Sequence, residues 1–202
     1  MTSNFDINSN FENYKKAFLE ENSKHNLISK NDEKFLYEKH IYDSLGIKLF
    51  FEKYNIKKAK ILDIGCGGGF PCLPIAIEYP KFDIVGIDSI AKKVASVQNI
   101  VNVLELKNIS LICDRVENIK SEKFDIIVSR AVADMAKISE YALPLVKKDG
   151  YFVAYKSKKA LEELKNAESV LKKHNSKVVE IINYTLPLEE VYERNLVCIK
   201  KS

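Results

Sequence analysis

A short apolar run, Ile61-Leu62-Asp63-Ile64, passes directly into Gly65-Cys66-Gly67-Gly68-Gly69-Phe70, and a second apolar run, residues 82–87, ends at Asp88. Glycines at 65, 67 and 69 let a backbone turn sharply and approach a ligand that any Cβ would hold away. The segment after them, residues 73–79, has helical composition, with Pro71 and Pro74 near its start. A carboxylate at the end of the next strand accepts both hydroxyl hydrogens of a ribose. The layout is that of a strand, a glycine loop, a helix and a second strand around a nucleotide-type cofactor.

The glycine spacing separates two kinds of cofactor. A dinucleotide fingerprint, G-x-G-x-x-G, would place its third glycine where this chain has Phe70, and the glycines instead recur at every second residue after Asp63. That D-x-G-x-G-x-G form resembles motif I of the class I methyltransferases that use S-adenosylmethionine (SAM). SAM carries no pyrophosphate, so nothing requires a helix N-terminus opened for a phosphate.

From residue 60 onward the pattern alternates. Strands are expected at 60–64, 82–87, 109–113, 124–128, 150–155, 177–183 and 194–200. Between them run helical stripes: Ile90, Val94, Val97, Val101, Leu104; then Met135, Ile138, Ala142, Leu145; then Leu161, Leu164, Ala167, Leu171. This alternation predicts an α/β fold with a mostly parallel seven-stranded sheet covered on both faces. The last two strands are joined by a loop containing Pro187 and no helical stripe, so they are expected as an antiparallel pair. Ahead of the sheet, Phe11, Tyr14 and Phe18 mark one amphipathic helix, and Phe35, Tyr42, Leu45 and Leu49 mark a second, with Gly46 as an interruption. The expected division is an N-terminal helical extension, residues 1–58, and a cofactor-binding domain, residues 59–202.

In an open parallel sheet the ligand sits outside the carboxyl ends of the strands. That edge collects Gly65, Gly67 and Phe70 from strand one, Asp88 and Ser89 from strand two, Asp114-Arg115-Val116-Glu117 from strand three, Ser129-Arg130-Ala131 from strand four and Lys156 from strand five. An adenine base is expected between apolar side chains such as Phe70 and Val116, with its amine read near Glu117.

Composition excludes several classes. The chain is 46% hydrophobic and 30% charged, as in ordinary globular proteins. It has no apolar run of membrane-spanning length, and residues 1–10 are too polar for a signal peptide, so a cytoplasmic protein is expected. Cys66, Cys72, Cys113 and Cys198 lack metal-ligand spacing and are expected to be reduced, small and buried, with no metal bound. The net charge of +4 is concentrated: residues 156–177 hold seven lysines against three acids, while residues 1–58 hold ten against nine. Such a face suits phosphates, although a lysine-rich helix is also an ordinary solvated surface.

Strand four leads into Val128-Ser129-Arg130-Ala131-Val132-Ala133. This is neither the Asn-Pro-Pro-Tyr type of cluster used on exocyclic amines nor a thiolate nucleophile for pyrimidine C5. Pro71-Cys72 opens the first helix on the cofactor side, away from an acceptor base. An acceptor that already exposes a lone pair, such as guanine N7, needs no base, and catalysis reduces to holding it in line with the methyl group. Arg130 then reads as a binder of a carboxylate, a phosphate or a guanine edge. His40, Asp43 and Ser44 share a helical face at i, i+3 and i+4, so that the carboxylate or hydroxyl orients the imidazole. That face either shapes the cofactor mouth or fastens the helical extension to the core.

Taken together, Asn26-Leu27, His40 through Leu45, Asp63 through Pro71, Asp88-Ser89 with Lys92-Lys93-Val94, Arg115-Val116-Glu117, Ser129-Arg130-Ala131, Tyr155-Lys156 and Glu193 through Val197 resemble, in order, the glucose-inhibited division protein B family. The resemblance implies a class I, Rossmann-like methyltransferase fold in a bacterial enzyme that methylates guanine N7 in the 530 loop of 16S ribosomal RNA, with SAM as methyl donor. It implies SAM contacts at Gly65, Phe70, Val116, Glu117 and Arg130, to which the residue-level reading adds Gly67 and Asp88; Arg130 is also the candidate catalytic residue. The expected partner is 16S rRNA or the small subunit, and the expected state is a monomer. Two alternatives stay open: a SAM-dependent methyltransferase of a small molecule, and a non-catalytic RNA-binding module.

Overall fold

The structure, a computed structural model, describes residues 9–158 and 160–202, with side chains from Phe11 onward. The expectation for residues 1–10 therefore falls largely outside the described residues, as does Lys159 of the lysine-rich stretch.

Seven strands form one sheet: β1 (Lys60–Ile64), β2 (Asp83–Asp88), β3 (Ile109–Cys113), β4 (Phe124–Arg130), β5 (Val146–Lys156), β6 (Ser176–Leu186) and β7 (Tyr192–Lys201). Their spatial order is β3-β2-β1-β4-β5-β7-β6. β1 through β5 pair with one another in parallel, and β7 inserts between β5 and β6, antiparallel to both. The expected antiparallel pair is therefore present as β6 and β7. Strand order reverses between β1 and β4, and at such a switch point the connections leave in opposite directions and open a crevice at the carboxyl edge.

Two apolar layers flank the sheet. On one face, α5 (Cys72–Glu78) and α6 (Ala91–Val103) bury Leu73, Ile75, Val97 and Ile100 against Ile61, Ile84 and Ile126. On the other, α7 (Met135–Ala142) and α8 (Ala160–Lys173) bury Met135, Ile138, Ala167 and Leu171 against Leu62, Ile127 and Phe152. Each fully buried Leu, Ile, Val, Met or Phe side chain here contributes about 1.5–3 kcal/mol. In α8 the inward stripe begins at Ala160, 2% exposed, and Leu161 is 65% exposed, which corrects the expected stripe by one position.

The N-terminal helices join the first layer. In α1 (Ser9–His25), Phe11, Tyr14 and Phe18 form the inward face as expected, and all three pack into the cluster that holds Ile61 and Leu73. The expected second helix is instead broken. Ser29 caps α2 (Lys30–Glu33), a π-helical turn spans Leu36–Ile41, and α3 (Tyr42–Leu45) and α4 (Lys48–Lys53) follow. The wider π turn shifts the stripe, so Leu36, Ile41, Ile47 and Phe50 are buried and Phe35 and Leu49 only half-buried. Gly46 ends α3 at a close approach: a Cβ there would lie 2.7 Å from the Tyr184 ring.

Candidate active site

β1 runs into Gly65, whose φ is +71°, and Gly67 and Gly69 are also left-handed, at +54° and +91°. This is backbone that L side chains rarely adopt. Gly65 and Cys66 donate their N–H groups to Ile87 O, at 2.8 and 3.0 Å, which ties the loop to β2. Asp88, at the end of β2, accepts from Gly67 N through Oδ2 and from Ile90 N through Oδ1, each at 2.9 Å. One carboxylate thus sets the loop and the start of α6, and each oxygen keeps a lone pair for a further donor.

Beneath the loop Asp63 is fully buried. Its Oδ2 accepts from Cys72 N at 3.0 Å, and its Oδ1 has no partner among the described residues. Burial raises its carboxyl to about 7. Burial also pushes the Cys72 thiol well above its ordinary value, so Cys72 is no nucleophile. Cys66, Cys72 and Cys198 are buried as expected; Cys113, at the end of the edge strand β3, is exposed, which corrects that part of the expectation.

A cavity of about 780 Å³ opens over this carboxyl edge. Gly65, Gly67, Phe70, Asp88, Val116 and Arg130 border it; Glu117 is exposed and lies outside the lining. Phe70 corrects the expected adenine sandwich. Its ring is 4% exposed and surrounded by Phe18 at 5.1 Å, His40 at 5.0 Å, Tyr14 at 6.3 Å and the Arg130 guanidinium at 5.1 Å, so no face is open for a base. The apolar groups open on the Asp88 side are Val116 and Ile90, the latter 48% exposed. Gly68 is covered by Leu27 of the N-terminal segment, which a Cβ would meet at 3.1 Å.

β4 ends in Ser129-Arg130-Ala131, and Ala131 turns the chain at φ +57°. Arg130 finds a carboxylate, but one of the protein's own. Nη1 donates to Asp43 Oδ2 at 3.1 Å and to Lys39 O at 3.2 Å, and Nη2 meets His40 Nδ1 at 3.1 Å. Asp43 also takes Arg194 Nε and Nη2 at 2.9 Å each, and the Tyr184 hydroxyl at 2.6 Å. Burial alone would raise the Asp43 carboxyl, but Arg194, then Arg130, and the hydrogen bonds from Arg194 and Tyr184 hold it below its ordinary value. Asp43 is therefore the group that fastens the helical segment to β4, β6 and β7.

The expected orientation of His40 by Asp43 or Ser44 is not found. Ser44 Oγ donates to the backbone carbonyl of His40 at 2.6 Å, and Asp43 is fully engaged by the arginines. Because a guanidinium only donates, His40 Nδ1 must accept, which fixes the neutral Nε2–H tautomer. Burial, then Arg130, lowers the imidazole to about 4. A folded-state value below the unfolded value near 6.5 means that stability falls as pH drops through that window and is unaffected above it. The expected result is a His40 Cε1–H resonance that stays fixed from pH 8 to about 5.5, read by NMR titration; a midpoint near 6.5 would contradict the Arg130 contact.

Lys156 lies at the cavity's edge rather than in it, donating to Ala133 O at 2.7 Å and Glu163 at 2.6 Å. Within residues 156–177, Lys158 faces Glu193 and Lys173 faces Glu140, so part of the expected basic face is neutralised internally. Arg194 and Asp43 had no sequence signal for their roles beyond arginine and aspartate standing in the segments that carry the family resemblance.

A glycine cradle, a loop-fixing carboxylate and a cavity at the switch point of a seven-stranded mixed sheet define a class I SAM-dependent methyltransferase fold. Solved structures agree on the fold. A SAM-dependent methyltransferase from Clostridium acetobutylicum superposes with a TM-score of 0.63 at 15% identity, over 85% of this chain and 96% of that one. A putative RNA methyltransferase from Pyrococcus horikoshii gives 0.62 at 10% identity, over 78% and 83%. The sequence model of the rRNA small subunit methyltransferase G family matches residues 7–196. The ribosomal RNA small subunit methyltransferase G of Lachnoclostridium phytofermentans is 42% identical over 95% of this chain and 80% of its own length, and that of Bacillus licheniformis 37% identical over 95% and 81%. The chain belongs to the rRNA small subunit methyltransferase G family.

Among the described residues no helix is long and apolar enough to cross a membrane, and no group of side chains has the make-up of a metal site.

Proposed function

We propose that this protein methylates N7 of a guanine in the 530 loop of 16S ribosomal RNA, in the cytoplasm, as a monomer. The family gives the reaction class: methyl transfer from SAM to ribosomal RNA of the small subunit. The observation that carries the site assignment is the Asp88 carboxylate, held by Gly67 and Ile90 and bordering the cavity with oxygen lone pairs to spare.

The residues present fit SAM. Asp88 takes the ribose hydroxyls, Ile90 and Val116 flank the adenine, and Gly65 and Gly67 admit the amino acid portion. A Cβ at Gly67 would meet no atom nearer than Gly65 O at 3.8 Å, so the glycine leaves open space on the cavity side. Phe70 and Arg130 contribute as the wall behind, and Glu117 contributes through its backbone rather than its exposed side chain. SAM supplies a methyl group on a sulfonium, an electrophile ready for a lone pair. No side chain needs to remove a proton from guanine N7, so the chain's work is to bind, align and exclude water. The Arg130–Asp43–Arg194 cluster fixes the geometry of the cavity wall beside Phe70. The division into an extension, residues 1–58, and a methyltransferase domain, residues 59–202, assigns that cluster to their junction. Unpaired lysines of residues 156–177 serve as shared phosphate contacts.

The test is transfer of radiolabelled methyl from SAM to ribosomal RNA from cells lacking this gene, as naked RNA and as assembled small subunits, with cleavage mapping at N7-methylguanine. Label at one guanine of the 530 loop supports the reading. No label in either substrate, with SAM binding confirmed by calorimetry, would favour a small-molecule acceptor, and no SAM binding would favour an RNA-binding module.

A further inference from the structure

Part of the cavity wall comes from the C-terminal hairpin. β7 pairs with β5 only as far as Asn195 opposite Lys156, and then runs on to Tyr192 paired with β6 alone. The end of the hairpin therefore stands above the carboxyl edge of the parallel strands. Strand alternation puts Tyr192 and Arg194 on one face of β7, opposite Leu186 and Tyr184 of β6. Tyr192, Arg194 and Leu186 line the cavity together with Val132, which follows β4.

Two features of this wall point to a ligand. Six large hydrophobic side chains stand exposed among the described residues, and three of them, Ile90, Val132 and Tyr192, border this one cavity. Ile90 belongs to the Asp88 side. Val132, 44% exposed, lies against the cofactor loop, its Cγ2 2.5 Å from where a Cβ on Gly65 would stand, and Tyr192, 50% exposed, stands on the hairpin; they offer an aliphatic and an aromatic surface of the kind unstacked bases pack on. The second feature is Arg194. Its Nε and Nη2 are fixed on Asp43, which leaves Nη1 as the end of the guanidinium not committed to that carboxylate. With Arg130 and Arg194 sharing a single carboxylate, the cluster keeps one net positive charge beside the cavity, and a guanidinium held in a fixed plane is suited to a phosphate.

We propose that Tyr192, Val132 and Arg194 form the acceptor pocket, in which an unstacked purine nucleotide of the RNA stacks its base on Tyr192 against Val132 and sets its phosphate on Nη1 of Arg194. The assignment rests on the rRNA methyltransferase reading and names which residues of that site take the acceptor rather than the cofactor.

Tyr192→Ala tests it, because the Tyr192 side chain makes no hydrogen bond among the described residues and is half exposed, so its loss leaves the fold intact. The expected result is a roughly five- to hundredfold higher KM for small-subunit rRNA, an unchanged SAM dissociation constant, and recovery in Tyr192→Phe. Wild-type KM in Tyr192→Ala would overturn the pocket. The chain contains no tryptophan, so Tyr192→Trp supplies a single reporter at the proposed stacking position. Its emission should be quenched by guanosine 5′-monophosphate in the presence of S-adenosylhomocysteine, and more strongly than by cytidine 5′-monophosphate; unaltered emission would also overturn the pocket. If wild-type protein transfers no methyl to rRNA, the activity reading fails, and the tryptophan titration still decides the pocket separately.

Discussion

Asp43→Ala is expected to lower folding stability by about 3–5 kcal/mol, because the change strands two arginines beside each other without their carboxylate. The Asp43 side chain is 3% exposed, and those of Arg130 and Arg194 are 12% and 13% exposed, so water cannot replace it. A domain of this size holds about 5–15 kcal/mol in total and loses about 2–4 °C of Tm per kcal/mol, so the melting temperature should fall on the order of 10 °C. Asp43→Asn should lose nearly as much, since an amide keeps the shape without the charge. Removing one of the arginines in the same protein should return part of the loss, because the like charges then no longer face each other. The pH dependence has a definite sign. Asp43 is held below the ordinary carboxyl value, so its contribution is fully present above about pH 4 and disappears as pH falls through the depressed folded value. The gap in Tm between wild type and Asp43→Ala should therefore be constant from pH 8 to 5 and close only in stronger acid. An Asp43→Ala protein melting within a degree or two of wild type would show that the cluster carries no such load.

Asp43 also marks the limit of what the sequence discloses. Its partners Arg130 and Arg194 lie 87 and 151 residues further along the chain, and no periodicity within residues 36–49 reports on either. The arginine at the end of β4 was legible as a binder of a carboxylate, but not that the carboxylate would come from the N-terminal helices. Local signals fared better. The strands were legible because each is an apolar run bounded by polar residues, and the glycine loop because three left-handed glycines have few other uses. Pairing order leaves no such trace, which is why the insertion of β7 between β5 and β6 had to be seen. The broken second helix has a comparable cause: a π turn at Leu36–Ile41 adds a residue to the period, so of the expected stripe Leu45 stays on the buried face while Phe35, Tyr42 and Leu49 drift partly off it. Phe70 was legible as a residue of the cofactor edge, where it was expected against the adenine. That its ring is enclosed by Phe18, Tyr14 and His40 depends on α1 and the π turn folding over it, which no local pattern encodes.

Asp88→Ala should reduce SAM affinity about a hundredfold or more while leaving the unliganded protein close to its original melting temperature. Two effects combine. The ribose loses its charged acceptor, and the glycine loop loses the hydrogen bond that holds Gly67 N–H toward β2, while Ile90 N–H loses its partner at the start of α6. A hydrogen bond to a charged group is worth about 1.5–3 kcal/mol, so loss of two ribose contacts alone accounts for two orders of magnitude. The unliganded fold suffers little, because the freed amides lie at the open carboxyl edge beside the cavity, where water reaches them. Asp88→Asn distinguishes the parts. Both of its current partners, Gly67 N–H and Ile90 N–H, are donors, and an amide offers only one oxygen, so one tether must break and the loss should fall between wild type and alanine. Calorimetric titration gives the affinities, and thermal melts supply an independent check. SAM at a hundred times its dissociation constant stabilises wild type by about 2.7 kcal/mol, several degrees of Tm, and the same concentration should leave Asp88→Ala almost unmoved. Wild-type affinity in Asp88→Ala would place the ribose elsewhere in the cavity and remove the observation on which the cofactor assignment stands.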